Sequence, residues 1–199
     1  MLKFLLIPIV LGVLAMLAVL WSRQAPPPAI GSAAPDFDLY DAARGRHRLA
    51  DYRGRWLVLY FYPRDETPTC TAEACNLRDG YAEFQARAVA LLGVSLDDAA
   101  SHAKFAQRHR LPFPLLVDPN AAVACAYGSL WDFGIFRFAK RHTFVIDPDG
   151  RIAKVYREIV ADHHAQEILA DLTRFKLVAP SSGANNPGIS PRTPPRNNP

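Results

Sequence analysis

The residues with the most chemical potential are the cysteines at 70 and 75 and the polar groups just before them. Cys70 closes the loop Pro63-Arg-Asp-Glu-Thr-Pro-Thr-Cys70 and stands at the mouth of a stretch with helical spacing that begins near Ala72. A helix start presents unpaired backbone N–H groups and the positive end of the helix dipole, and both favour a thiolate over a thiol. Cys70 also precedes Ala74 by four residues, so it extends the helix's apolar stripe and should face inward. A cysteine in wholly apolar company is inert, but the polar, proline-punctuated approach argues for a reacting sulfur. Thr67 offers a hydroxyl either to that sulfur and what binds beside it or to a turn or cap, and spacing alone leaves both roles open.

Cys75 follows Cys70 by five positions. On an intact α-helix their α-carbons would be about 9 Å apart, beyond the roughly 7 Å limit for a disulfide. A permanent bridge is therefore the poorer reading, and a transient one that unwinds the first turns is the better. Cys125, in Val123-Ala-Cys-Ala-Tyr127, has no polar neighbours and reads as core. The chain has no C-x-x-C and no paired His-x-x-x-His, which argues against zinc, and His163-His164 read as solvated residues of a terminal helix. No metal or cofactor is expected.

The elements that must position these groups follow from periodicity. Trp56 to Tyr62 is an uninterrupted run of β formers and reads as a buried strand leading into the cysteine loop. Ala72 to Ala88 reads as helix, with Ala74, Leu77, Tyr81, Phe84 and Ala88 on one face. Val89 to Ser95 is a second apolar strand, Ala99 to Arg110 a helix capped by Asp97 or Asp98 and closed by Pro112, Leu115 to Val117 a short strand, and Asn120 to Ala126 a helical turn or two. Short strands flank a turn at Arg44-Gly45, and a clear hairpin joins His142–Ile146 to Ile152–Tyr156 through Asp147-Pro-Asp-Gly150. A helix from His163 to Phe175 ends the order. Alternating elements with a closing hairpin predict an α/β domain of thioredoxin-like fold, a mixed central sheet with helices on both faces.

The ends differ from the middle. Phe4 to Trp21 is eighteen apolar residues, about 27 Å as a helix, so residues 1–24 are expected to form a single hydrophobic helix that anchors the protein in a membrane, or a signal segment. No small-residue cleavage site follows it, which favours an uncleaved anchor with the domain on the periplasmic or extracytoplasmic side, cleaved secretion being the alternative. Residues 25–28 form a proline spacer, 29–178 the folded domain, and 179–199, with six prolines from Pro180 onward, a disordered tail. The formal net charge is +4 with Lys and Arg scattered, which gives nucleic-acid binding no support.

The segment from Tyr60 to Cys75, with Pro63, Thr67 and Cys70 in its middle, resembles the active-site segment of peroxiredoxins, in particular the bacterioferritin comigratory protein or peroxiredoxin Q group. Gly31-Ser-Ala-Ala-Pro-Asp-Phe-Asp-Leu39, Val117-Asp-Pro119 and Arg141-His-Thr-Phe-Val-Ile-Asp147 resemble further parts of the same family, so the similarity spans most of 29–177. Thr69 departs from the group, which usually has Gly there. The resemblance implies a pocket of Pro63, Thr67, Cys70 and Arg141, with Cys75 as the resolving residue. It implies a thiol-dependent peroxidase: Cys70 attacks hydrogen peroxide or an alkyl hydroperoxide and becomes a sulfenic acid, Cys75 condenses with it, and thioredoxin or a similar dithiol reduces the disulfide. Two rivals share the fold, a membrane-tethered thiol–disulfide oxidoreductase and a copper-binding assembly factor. The first lacks its C-x-x-C, and the second lacks a clearly placed third ligand.

Overall fold

The computed structural model describes Gly12, residues 25–134 and residues 136–178. Its centre is β3 (Leu57–Phe61), buried at every residue, as a continuous apolar strand must be when both sheet faces are covered. Side chains divide by the period of two: Val58, Tyr60 and Tyr62 join one core, Leu57, Leu59 and Phe61 the other. Around it lie β1 (Asp38–Asp41), β2 (Arg46–Arg48), β4 (Ala90–Ser95), β5 (Leu115–Val117), β8 (His142–Ile146) and β9 (Ile152–Tyr156) in the order β2-β1-β5-β4-β3-β8-β9. Pairing is parallel for β3/β4 and β4/β5 and antiparallel elsewhere, the mixed thioredoxin-like sheet expected. The first core packs against α1 (Pro68–Asp79), α2 (Tyr81–Ala86), α3 (Ala99–His109) and α5 (His164–Val178). The second is covered more thinly, by α4 (Ala122–Ala126), the 3-10 turn Leu49–Tyr52 and residues near Phe37.

Several boundaries differ from the sequence expectation. The helix expected over 72–88 starts four residues earlier, because Pro68 fits the first helical position, where its missing N–H is not needed. It then divides at Gly80, where a Cβ would come within 2.9 Å of the Ala165 Cβ: α1 ends hard against the start of α5. Asp98 caps α3 by accepting from Ser101 N at 2.8 Å, whereas Asp97 turns back to the loop before α1. A separate hairpin of β6 (Leu130–Asp132) and β7 (Arg137–Ala139) was not expected, its three-residue strands being too short to show alternation. The expected hydrophobic helix over 4–21 and the tail 179–199 lie outside the described residues, Gly12 apart. Among the described residues no helix is long and apolar enough to cross a membrane.

Candidate active site

Cys70 is the third residue of α1, inside its first turn rather than ahead of it, and is 2 % exposed. Arg141, between β7 and β8, reaches across and donates from Nη2 to the Cys70 Sγ at 3.1 Å. Sequence positions 71 apart thus meet in one contact between a cation and the sulfur. The other arm of the guanidinium pairs with the carboxylate of Glu73, which is fully buried. Burial pushes the Glu73 carboxyl up to about 7, with Arg141 working in the opposite direction. Its Oε1 has no partner among the described residues, which fits a carboxylate held by one oxygen only. For Arg141 burial disfavours the charge, but Glu73 and Cys70 outweigh it and hold the guanidinium above its ordinary value. Sequence reasoning assigned Glu73 no role. The available signal was position: three residues after Cys70 it falls on the inward stripe with Ala74 and Leu77, where a carboxylate needs a partner.

The loop ahead of Cys70 is fastened by a second buried network that the sequence did not disclose. Asp65, 5 % exposed, accepts from Tyr62 OH at 2.8 Å and Ser101 Oγ at 2.7 Å and lies 2.9 Å from His102 Nδ1. His102 Nε2 lies 3.2 Å from the Leu116 carbonyl oxygen. Burial works to raise the Asp65 carboxyl, but the His102 contact and the two hydroxyls hold it below its ordinary range. The Asp65 N–H donates to Asp97 Oδ2 at 2.9 Å, so the loop is tied to both α3 and the end of β4. Glu66 beside it adopts a left-handed φ of 60°, with its carboxylate on Arg108 and His109. Such a backbone persists only where its neighbours fix it.

The remaining expected site residues are placed as follows. Thr67 occupies the N-cap position of α1 without capping it, and its hydroxyl donates to the Arg64 carbonyl at 3.0 Å, not to Cys70. Pro63 lines a groove of about 570 Å3 with Arg64, Leu96, Asp97, Phe136 and Phe138. Cys75 is half-buried on the same unbroken helix as Cys70, and both thiols are free. Thr69 is exposed in the first helical turn, a backbone any residue adopts, so the departure from Gly causes no local strain. Two expectations are corrected. Cys125 is exposed, because the short α4 turns Val123 and Ala124 inward and leaves the next residue outside. His164 is fully buried, its Nε2 2.8 Å from Thr143 Oγ1, because the terminal helix begins against β8, and only His163 is solvated. Among the described residues no group of three His, Cys, Asp or Glu side chains could hold a metal.

Comparison with known proteins follows the same outline. The AhpC/TSA family pattern matches residues 30–155. The chain is 40 % identical over 148 residues to peroxiredoxin Bcp of Bacillus subtilis (strain 168), covering 72 % of this chain and 94 % of that protein. It is 40 % identical over 141 residues to the chloroplastic peroxiredoxin Q of Oryza sativa subsp. japonica, covering 70 % of this chain and 64 % of that protein. A solved structure of the Xanthomonas campestris bacterioferritin comigratory protein, described by its alkyl peroxide reduction activity, superposes with a TM-score of 0.66 at 29 % identity, covering 70 % of this chain and 91 % of that one. The expected placement, membrane-anchored with the domain periplasmic or extracytoplasmic, is corrected. It rested on the length of one apolar run, no described helix can cross a membrane, and the relative whose name carries a compartment is chloroplastic.

Proposed function

Because the chain belongs to the AhpC/TSA family, among its Bcp- and PrxQ-type peroxiredoxins, and is a thiol-dependent peroxidase, we propose that Cys70 is its peroxidatic residue, Arg141 and Thr67 its electrostatic partners, and Cys75 its resolving residue. The Cys70 thiolate attacks the terminal oxygen of a hydroperoxide, the O–O bond breaks, and water or an alcohol leaves as Cys70 becomes a sulfenic acid. Arg141 donates to the sulfur and faces the charge developing on the leaving oxygen. Thr67 has directed its own proton to Arg64, so its oxygen offers acceptor lone pairs to the peroxide O–H. Pro63 shapes the loop and lines the groove beside it with Arg64, Leu96, Asp97, Phe136, Arg137 and Phe138. The Cys75 sulfur then displaces the sulfenic oxygen as water, and thioredoxin or a similar dithiol reduces the bridge. The working unit is residues 29–178, behind the 25–28 spacer.

The observation that carries this reading is the 3.1 Å contact from Arg141 to the Cys70 sulfur. Its test is a pair of variants under steady-state and single-turnover conditions. Cys70→Ser is expected to abolish peroxide consumption although Cys75 and Cys125 remain. Cys75→Ser is expected to consume one equivalent and accumulate a dimedone-reactive Cys70. Loss of that first equivalent in Cys75→Ser, or a Cys70–Cys125 bridge in the oxidised wild type, would overturn the assignment.

A further inference from the structure

One side chain ties the cysteine helix to the far end of the chain. Asn76, the residue after Cys75, donates from Nδ2 to the Asp162 carbonyl at 2.7 Å and to Gln166 Oε1 at 3.3 Å, and its Oδ1 accepts from the Ala165 N–H at 2.8 Å. Ala165 lies in the first turn of α5, where backbone N–H groups lack intrahelical partners, so Asn76 supplies that helix with a cap from another element. The close approach of Gly80 to Ala165 places the rest of the α1 C-terminus at the same spot.

This contact bears on the reaction because the two cysteines sit on an intact helix at a separation that forbids their bridge. Unwinding through Cys75 leaves only Asn76 to Asp79 of α1, too few residues to keep an i→i+4 ladder. The backbone that aims the Asn76 amide is then lost, and the bonds to Asp162 and Ala165 go with it. We propose that Asn76 is the latch on this transition: its bonds set how long the Cys70 sulfenic acid waits before Cys75 reaches it. The proposal rests on the assignment of Cys70 and Cys75 above. While the latch is closed, the sulfenic acid can meet a second hydroperoxide, which transfers one oxygen to sulfur, gives the sulfinic acid and leaves as alcohol or water. When it opens, the S–S bond forms, the S–O bond breaks, and the sulfenic oxygen leaves as water with the Cys75 proton. Asn76 thus positions the resolving residue and divides one intermediate between two fates without touching the peroxide.

The test uses the full chain as wild type, Asn76→Ala and Asn76→Asp. Reduced protein is mixed with one equivalent of hydrogen peroxide, and peroxide loss and the Cys70–Cys75 bridge are followed separately by quenched peptide mass spectrometry. A second series, without reductant, titrates peroxide and scores sulfinic acid at Cys70. Asn76→Ala should leave the peroxide step unchanged and speed the bridge about tenfold, the scale of two net hydrogen bonds. The peroxide concentration for half-conversion to sulfinic acid should rise by the same factor, because the two fates compete. Asn76→Asp keeps the acceptor for Ala165 and should fall between the two. In the wild type, the Ala165 amide should lose exchange protection on oxidation. An unchanged or slower bridge in Asn76→Ala would overturn the latch while leaving Cys75 as the resolving residue, and a slowed peroxide step would make Asn76 a support of the folded site instead. Absence of a Cys70–Cys75 bridge in the oxidised wild type would remove both the latch and the assignment beneath it.

Discussion

Replacing Arg141 tests the site most directly, and the buried Glu73 dictates how the experiment must be built. At the observed 3.1 Å, a unit charge pair at an effective dielectric of 20 is worth about 5 kcal/mol, a gross figure that water entering the vacated space partly restores. A net loss of about 3 kcal/mol in the transition state corresponds to a peroxide reaction slowed roughly 100-fold or more in Arg141→Ala. The same substitution strands the Glu73 carboxylate, which is fully buried. Removing one member of a buried pair costs about 3–5 kcal/mol of stability. With Glu73 already raised to about 7, taking up a proton absorbs part of that cost at neutral pH. The double variant Glu73→Gln/Arg141→Ala separates the effects, since the amide keeps the shape without the charge. It should recover stability in denaturant unfolding while its second-order rate constant, measured by stopped flow with hydrogen peroxide, stays as low as in Arg141→Ala. A double variant as fast as wild type would refute the electrostatic role of Arg141.

Further outcomes follow from the same contacts. Asp65→Asn should destabilise the protein by about 3 kcal/mol and slow the peroxide step, because it breaks the buried contact with His102 that fastens the loop; normal kinetics with lowered stability would show that the loop does not need it. Burial holds both His142 and His164 down to about 4, so the folded state keeps them neutral while the unfolded chain protonates near 6.5. Their stability is fully present above 6.5 and is lost as pH falls toward 4, whereas Glu73, raised to about 7, works in the opposite sense. In a Glu73→Gln background the denaturation midpoint should therefore fall between pH 7 and 4.5, and a flat profile would contradict the burial of the two imidazoles. Thr67→Val keeps the volume but removes both an acceptor and the bond to the Arg64 carbonyl, and should slow peroxide attack about tenfold at a stability cost of about 1 kcal/mol; an unchanged rate constant would mark Thr67 as a loop residue only.

The parts of the fold that were legible are those that speak through periodicity. β3 declared itself because a run buried on both faces needs no polar residue, and the β8–β9 hairpin because Asp147 to Gly150 spells a turn, Gly150 taking the left-handed φ of 73°. Cys70 could be placed because a polar loop before a helical stripe is a local signal. Arg141 could not be reached from local pattern, since it stands just before β8, 71 positions from Cys70, and only the family resemblance brought it to the sulfur. Glu73, Asp65, His102 and Asn76 escaped for a shared reason: a polar residue announces its burial only through its partner, and those partners sit 68, 37 and 86 or more positions away. Cys125 was misread because a five-residue helix has too few positions to reveal which face is inward.

The composition of α1 suits the proposed transition, in which the helix is dismantled and rebuilt. Its buried residues are Cys70, Glu73, Ala74 and Leu77, of which Leu77 alone is a large apolar side chain, whereas α5 buries Ile168, Leu169 and Leu172. One buried leucine contributes about 1.5–3 kcal/mol, so hydrophobic burial alone leaves α1 loosely held. The rest of its attachment is polar: Asn76 to α5, Arg78 Nη1 to the His109 carbonyl at 2.8 Å, and Arg141 to both Glu73 and Cys70. The contacts of the half-buried Asn76 and Arg78 hold a geometry tightly yet cost little to exchange for water, which is what a reversible transition needs, whereas the pair of Arg141 with the buried Glu73 is the costlier tie. In the proposed reaction the peroxide step also weakens one of them. Conversion of the thiolate to a neutral sulfenic acid removes the charge that Arg141 faced, so the tie at the start of α1 loosens when Cys75 has to approach, and Asn76 at the other end becomes the contact that decides when it does.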